Sequence, residues 1–495
     1  MSGDTGQALQ RAADALARGD HQAVLACVQP LDRPSQQDPR VAQYAALAHR
    51  AAGDSRAALA AIRRAARLSA DDPRIAAAEA TISYEAGLPA TALWERAIRL
   101  APPPPDLELA LSLAAAHWAE GRPAAAEALI ADILLRQPEW VRGHQALASY
   151  RWLSGDREAF DRSFAPAAAS APISLPLRLA WQRALAQAGL LERASAVIRA
   201  ARAQLGDRME LDAAAASHAT EMGHDQEAER LFARVADLAD PGTQLAFVRH
   251  SIRTGLLDRA ESIAAQLTST AAANGAWPYL GTIWRLKGDP RADWLDGAPP
   301  FIRSYDLGLT SAEIDAVIGL VRRLHLAVQH PAEQSMRGGT QTEGQLFQRL
   351  DPELAPVRRA ALAAVRRYID GLPDRDPRHP LLGPPRAAPN FAGSWSVRLG
   401  RQGRHVAHVH SQGWISSALY LAVPPLDALG PAPAGWLTLG AAPADLRVHT
   451  PPLAQLEPKA GRLVLFPSTM WHATEPFDHG ERLTIAFDIV PGTAG

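Results

Sequence analysis

Three histidines fall within six residues in "RHVAHVH" (Arg404–His410). A neutral imidazole is a metal ligand, so the first question is which of the three could act together. Side chains two apart on a strand share a face. His408 and His410 therefore point one way and His405 the other. Two imidazoles on one strand face, turned into a small barrel, can hold a divalent cation, and a third ligand must come from elsewhere. His472, in "GRLVLFPSTMWHATEPF", is the best placed. Beyond it "DHG" (Asp478–Gly480) has the composition of a turn. A hairpin there puts Arg482 and Thr484, again two apart, on the strand opposite His472. An arginine beside a hydroxyl can bind a carboxylate through two parallel hydrogen bonds. A metal that also chelates an oxo-acid would use both features.

The order His408-Val409-His410, then His472, then Arg482-Leu483-Thr484 resembles the iron(II)- and 2-oxoglutarate-dependent oxygenases. Their motif is His-x-Asp/Glu, a distant His, then Arg-x-Ser. The resemblance covers residues 296–495. "HVHSQGWISSALYL" together with "GRLVLFPSTMWHATEPF" is similar to a bacterial group of that superfamily, often fused to tetratricopeptide repeats, whose first motif reads His-x-His. The resemblance implies His408, His410 and His472 as metal ligands. It implies Arg482 on the distal carboxylate of 2-oxoglutarate, with Thr484 assisting and Tyr420 hydrogen-bonding the same group. The implied cofactors are Fe(II), 2-oxoglutarate and O2. The implied reaction oxidises a C–H bond while 2-oxoglutarate becomes succinate and CO2.

His410 stands where most of the superfamily carries a carboxylate. Three arrangements follow. His410 is a true third ligand, or it swings away and leaves two histidines, or a carboxylate such as Asp445 or Asp488 enters instead. The first is the expectation. An imidazole fills the space a halide would need, which argues against halogenation. His405, His449 and His479 read as surface or hydrogen-bonded residues, and Trp395, Trp414 and Trp471 as core aromatics. "RGGTQT" (Arg337–Thr342) lacks the Lys-Ser/Thr ending and preceding strand of a phosphate loop, so it reads as a lid or an ordinary loop.

Short strand-like segments separated by Gly and Pro must position these residues: "FAGSWSVRLG", "RHVAHVH", "ISSALYLAV", "GWLTLG", "GRLVLFP" and "RLTIAFDIV". They predict a jelly-roll, or double-stranded β-helix, with flanking helices over Ser311–Val328 (Ser311 as N-cap) and from Asp351 onward. "MRGGTQTEGQL" between those helices reads as a loop.

The first three-fifths of the chain is different. Gly19, Gly53, Gly87, Gly121, Gly155, Gly189 and Gly223 recur every 34 residues, and Gly255 and Gly288 follow at altered spacing. Alanine recurs five residues after the glycine, at Ala58, Ala92, Ala126, Ala194, Ala228 and Ala260; in the fifth unit Phe160 replaces it. Glycine ends one helix and turns the chain, the small alanine lets the next helix approach, and Pro73, Pro102 and Pro138 break the chain between pairs. The pattern resembles the tetratricopeptide repeat family over residues 7–292, and implies eight to nine helix pairs in a right-handed superhelix with a concave groove.

The chain therefore reads as a multidomain α + β protein. An all-α tetratricopeptide-repeat solenoid (7–292) precedes an Fe(II)/2-oxoglutarate oxygenase jelly-roll domain (296–495; helical lead-in 296–388, barrel 389–492). The whole has 495 residues, 47% hydrophobic and 21% charged, with a net charge of −1, which argues against a nucleic-acid-binding surface. Cys27 is the sole cysteine, so no internal disulfide is expected, which suits a reducing compartment. There is no signal-peptide pattern and no apolar run of roughly 18 residues, so a cytoplasmic protein with no membrane partner is expected. The expected partner is a peptide or protein substrate in the repeat groove, with a homodimer as a further expectation. Two alternatives stay open: a non-catalytic repeat scaffold whose barrel is structural or holds zinc, and an oxygenase for a small molecule whose repeats serve assembly.

Overall fold

The computed structural model describes residues 2–31, 38–104, 106–236, 238–387 and 389–492. Among them, α1 (Ser2–Ala17) to α17 (Ala273–Lys287) form a run of antiparallel helix pairs. All nine glycines of the register sit at positive φ, between 67° and 99°, where a side chain would be strained. Each glycine closes a helix, and after Gly19 and Gly53 the next residue, an aspartate, caps another. Asp54 accepts from the Ala57 amide at 3.0 Å, and Asp20 from the Ala23 amide at 2.9 Å. Ala58, Ala126, Ala194, Ala228 and Ala260 are fully buried.

Three positions differ from the simple repeat. Leu88-Pro89 delays the next helix to Thr91, so Ala92 faces solvent. Phe160 packs edge-on to Trp152 at 5.2 Å, and the helix of that unit begins only at Phe164. Pro73 opens a helix at its first position, behind the capping Asp72, whereas Pro102 and Pro138 lie in links.

Among the described residues the C-terminal part holds nine strands: β1 (Arg303–Asp306), β2 (Met336–Gln341), β3 (Asn390–His405), β4 (Ile415–Ala422), β5 (Leu437–Leu439), β6 (Ala454–Leu456), β7 (Arg462–Pro467), β8 (His472–Thr474) and β9 (Arg482–Val490). They make an antiparallel six-stranded sheet, β1-β7-β4-β9-β3-β2, and a three-stranded sheet, β6-β5-β8. The two face each other as an open jelly-roll that does not close into a barrel. Period-two alternation on β9 divides its side chains: Leu483, Ile485, Phe487 and Ile489 pack outward in the core under α18 (Ser311–Leu324) and α19 (Leu354–Asp370). Arg482, Thr484 and Ala486 point into the space between the sheets.

Four local expectations are corrected. "MRGGTQ" is an edge strand, not a loop: it pairs with β3, with a bulge where Gly338 takes φ 70°. Thr310, not Ser311, caps α18, in a reciprocal capping box with Glu313. β3 ends at His405, so His408 and His410 lie beyond the regular strand. No hairpin joins β8 to β9: β8 pairs with β5, and β9 with β3 and β4, so the chain crosses from one sheet to the other through Asp478–Gly480.

The repeat array packs against the jelly-roll side through its turns. Arg358 donates to Gly53 O at 2.6 Å, Asn390 to Ala51 O at 3.0 Å, the Leu350 amide to Ala86 O at 3.0 Å and the Val328 amide to Leu153 O at 3.0 Å. Arg285 of α17 donates to Gly440 O and Pro451 O. No helix among the described residues is long and apolar enough to cross a membrane. Although most units carry alanine where Phe160 stands, Phe160→Ala is expected to lower stability by about 3–5 kcal/mol through the cavity left beside Trp152. A shift of the denaturant unfolding midpoint measures it.

Candidate metal and cosubstrate site

His408 and His472 meet through the backbone. The His408 amide donates to His472 O at 3.1 Å, and the His472 amide to His408 O at 3.0 Å. This bridge ties the segment after β3 to β8 of the smaller sheet. His410 follows in irregular chain, its amide on Ser468 O at 3.0 Å. One ring nitrogen from each of His408, His410 and His472 lies within 4.8 Å of the others, and the Nε2 atoms of His408 and His410 are 3.3 Å apart.

The opposite nitrogens are all held. His408 Nδ1 donates to Val406 O at 2.9 Å, and His472 Nδ1 to Met470 O at 3.1 Å. A carbonyl only accepts, so these two rings carry the proton on Nδ1 and present a free lone pair at Nε2. His410 Nδ1 faces Asp488 Oδ1 at 2.7 Å. Burial, and then the neighbouring imidazoles, hold His408 and His472 well below the usual histidine range. They are neutral, as metal ligands must be.

Asp488 is the buried carboxylate at this site, but it stands behind His410. Its Oδ1 also accepts from Ser416 Oγ at 2.6 Å, and Ser416 lies 2.8 Å from Ser468 Oγ. Asp445 is elsewhere, paired with Arg249 at 2.7 Å. Neither carboxylate enters the cluster of facing nitrogens; His410 itself turns toward the other two.

Arg482 shares the cavity with the three histidines and Thr484. It is 3% exposed, with its guanidinium carbon 5.0 Å from the centre of the Tyr420 ring. Arg482 Nε and Nη1, and Tyr420 Oη, have no hydrogen-bond partner among the described residues. Burial pushes the guanidinium down and the phenol up. A buried cation with unused donors is costly unless an anion completes it. Strand register sets Thr484 opposite both Tyr420 and Val397, so the hydroxyl sits on the same inner face. Three convergent imidazoles and a buried guanidinium with two unused nitrogens fit a divalent metal with a carboxylate ligand anchored beside it.

His405 and Trp395 also line this cavity. His405 stacks on His408 with ring centres 5.4 Å apart, its Nδ1 3.0 Å from Ser335 Oγ. Alternation stops where β3 ends, so His405 does not turn away from the pair. Burial, and then Arg482, push it down to about 3. Trp395 also lines the cavity, 5.5 Å from the His410 ring centre, rather than lying in the core. Its register partner Ala486 shares the Arg482 face, a signal visible only once β3 and β9 are known to pair. Trp414 and Trp471 are buried, and His449 and His479 are exposed.

Residues 393–488 match the family described as "Putative 2OG-Fe(II) oxygenase". The C-terminal part thus carries a domain of that oxygenase family. Among solved structures, a tetratricopeptide repeat protein from Parabacteroides merdae is 14% identical, covering 48% of this chain and 94% of its own, with a TM-score of 0.32. A Pseudomonas putida prolyl-4-hydroxylase is 21% identical over 39% of this chain and 93% of its own, at 0.27. HygX from Streptomyces hygroscopicus, solved with nickel and 2-oxoglutarate bound, is 13% identical over 39% and 84%, also at 0.27. Scores this low carry no argument, and the fold rests on the elements described above. No curated protein matches the sequence.

The neutral histidines make stability depend on pH. His405 is lowered to about 3, His325 to about 4, and His408 and His472 well below 6.5. In the unfolded chain each titrates near 6.5, so below that value the unfolded state binds more protons and stability falls with pH. The unfolding midpoint of metal-free protein is expected to be highest above pH 6.5 and to drop steadily toward pH 4. A midpoint flat from pH 7 to 5 would contradict neutral burial of these rings.

Proposed function

We propose that this protein is an Fe(II)- and 2-oxoglutarate-dependent oxygenase that hydroxylates a peptide or protein presented by its repeat array. The observation that carries the reading is three imidazoles with converging ring nitrogens in one cavity with a buried guanidinium whose Nε and Nη1 have no hydrogen-bond partner among the described residues. Bound together, iron, 2-oxoglutarate and O2 supply the oxidising chemistry, and succinate and CO2 are formed.

The chain's own part is to bind, orient and keep water out. His408, His410 and His472 hold the metal through Nε2. Arg482 takes the distal carboxylate of 2-oxoglutarate, Thr484 adds a hydroxyl, and Tyr420 lies under the guanidinium and offers its free hydroxyl to the same group. Val397, Leu399 and Phe466 give the cavity apolar walls. Asp488 holds the His410 Nδ1 proton and makes that ring more electron-rich, placing a negative charge one ring away from where other superfamily members put a ligand carboxylate.

A peptide or protein substrate is favoured by what adjoins the site. A cavity of about 360 Å³ lies between repeat helices (Gln145, Ser149, Arg183 and Gln187) and the segment Ala332–Glu333. The next two residues, Gln334 and Ser335, line the metal cavity. One short segment, Ala332–Ser335, thus borders both the repeat helices and the metal cavity. Three imidazoles would also suit Zn(II) in a non-catalytic scaffold. The unused Nε and Nη1 of Arg482 favour the oxygenase, because a structural zinc site has no use for them.

Purified protein given Fe(II), 2-oxoglutarate and O2 is expected to form succinate, and His408→Ala and His472→Ala to abolish it. Arg482→Leu is expected to weaken 2-oxoglutarate binding by about 2 kcal/mol or more, roughly 30-fold, with metal still bound. Tight zinc binding with no 2-oxoglutarate binding would sink the proposal.

A further inference from the structure

We infer that the last repeat helix, α17, is part of the metal-site framework, with Asn274 and Thr282 acting as positioning residues for His410 and His472. The inference rests on the three-histidine metal site proposed above, and it gives the repeat array a role in how tightly that site holds its metal.

Both ligand-bearing segments are fastened to the same two turns of α17. Asn274 Nδ2 donates to Ser411 O at 3.1 Å and to Gly413 O at 3.2 Å. These carbonyls belong to the turn that follows His410 and is closed by the Gly413 amide on His410 O at 3.1 Å. One side-chain amide thus pins the loop that aims His410. Eight residues on, Thr282 Oγ1 and Pro278 O receive the indole N–H of Trp471, at 3.0 and 3.1 Å. Trp471 directly precedes His472. Its ring is buried edge-on to Tyr279 of α17, with centres 5.4 Å apart.

The geometry is that of a lever. Neighbouring residues of an extended segment point to opposite sides, so with Trp471 driven into α17, His472 is turned into the cavity. His408 is located in turn by its backbone bridge to His472. The same backbone is tied a third time: the Gly440 amide donates to Trp471 O at 2.7 Å, while Arg285 of α17 donates to Gly440 O. All three histidines are therefore placed by contacts that end on α17. Pro278, inside the helix, cannot donate a backbone N–H. Its carbonyl receives both the Thr282 hydroxyl, at 3.0 Å, and the Trp471 indole. Because the array is a stack of neighbouring units, anything that shifts its last helix acts on the ligands, and by linkage metal binding stiffens the dock.

Cobalt(II), read by its visible absorption, is the probe, titrated into full-length, metal-free protein. Asn274→Ala and Thr282→Val should weaken Co(II) binding about 10-fold and alter the absorption, as loss of an outer hydrogen bond to a metal ligand does. Trp471→Phe, which keeps the ring and loses the N–H, should do the same. Thr282→Ser should restore wild-type binding. Asn390→Ala removes a contact between the array and the jelly-roll that bonds to neither ligand-bearing segment, and should leave Co(II) binding unchanged. Circular dichroism and the unfolding midpoint verify that each variant is folded. If Thr282→Val and Trp471→Phe bind Co(II) as wild type does, or if Asn390→Ala weakens binding equally, α17 does not position the ligands. If wild-type protein takes up no Co(II) at all, the metal reading itself falls and this inference with it.

Discussion

Three imidazoles do not converge by themselves, yet the Nε2 atoms of His408 and His410 stand 3.3 Å apart with a ring nitrogen of His472 within 4.8 Å. The fold has to hold them there. It does so from outside the cluster, by fixing the far nitrogen of each ring: two on backbone carbonyls, one on Asp488. It also fixes the backbone, through the reciprocal bridge between His408 and His472. These restraints come from both sheets and from the irregular chain after β3. The cluster is therefore a product of the whole jelly-roll and not of one motif.

Charge is distributed in the same way. A carboxylate bound directly to the metal would cancel one positive charge at contact distance. Here the carboxylate of Asp488 sits behind the His410 ring, fixed by Ser416 and buried. Its field still reaches the site because the low dielectric of the interior screens it little. On the other side of the cavity, Arg482 is buried, and its Nε and Nη1 have no hydrogen-bond partner among the described residues. That suits the proposed guest, which carries negative charge at its far end.

How much of this is legible in the sequence follows from how local each cause is. The repeat turns are legible because positive φ at glycine is a steric matter settled within a few residues. Ala92 escapes that reading because Pro89, three residues earlier, resets the helix start. The spacing of His408, His410, His472, Arg482 and Thr484 is legible as chemistry, but not as topology. A turn at Asp478–Gly480 looks like a hairpin, and only the pairing of β8 with β5 shows that the chain changes sheets. Met336–Gln341, with two glycines and polar neighbours, has little strand character of its own; it is held by β3. Trp395 and His405 could not be assigned to the cavity from alternation alone, because one depends on the β3–β9 register and the other on where β3 stops. The fastening of Trp471 to Thr282 is a contact 189 residues long in sequence, which no local pattern can announce.

The docking of repeat turns onto the jelly-roll changes how the two parts should be regarded. Removing the array would uncover Trp471 and release the loop after His410, so an isolated jelly-roll would not report fairly on what the repeats contribute. The central claim concerns the intact chain: His410 is a metal ligand, steadied by Asp488, in place of the missing carboxylate. X-ray absorption of the anaerobic Fe(II) protein with 2-oxoglutarate tests it most directly, because multiple scattering counts coordinated imidazoles. Three imidazoles are predicted in wild type and two in His410→Ala. Two imidazoles in the wild type, with oxygen in the third protein position, would contradict the account.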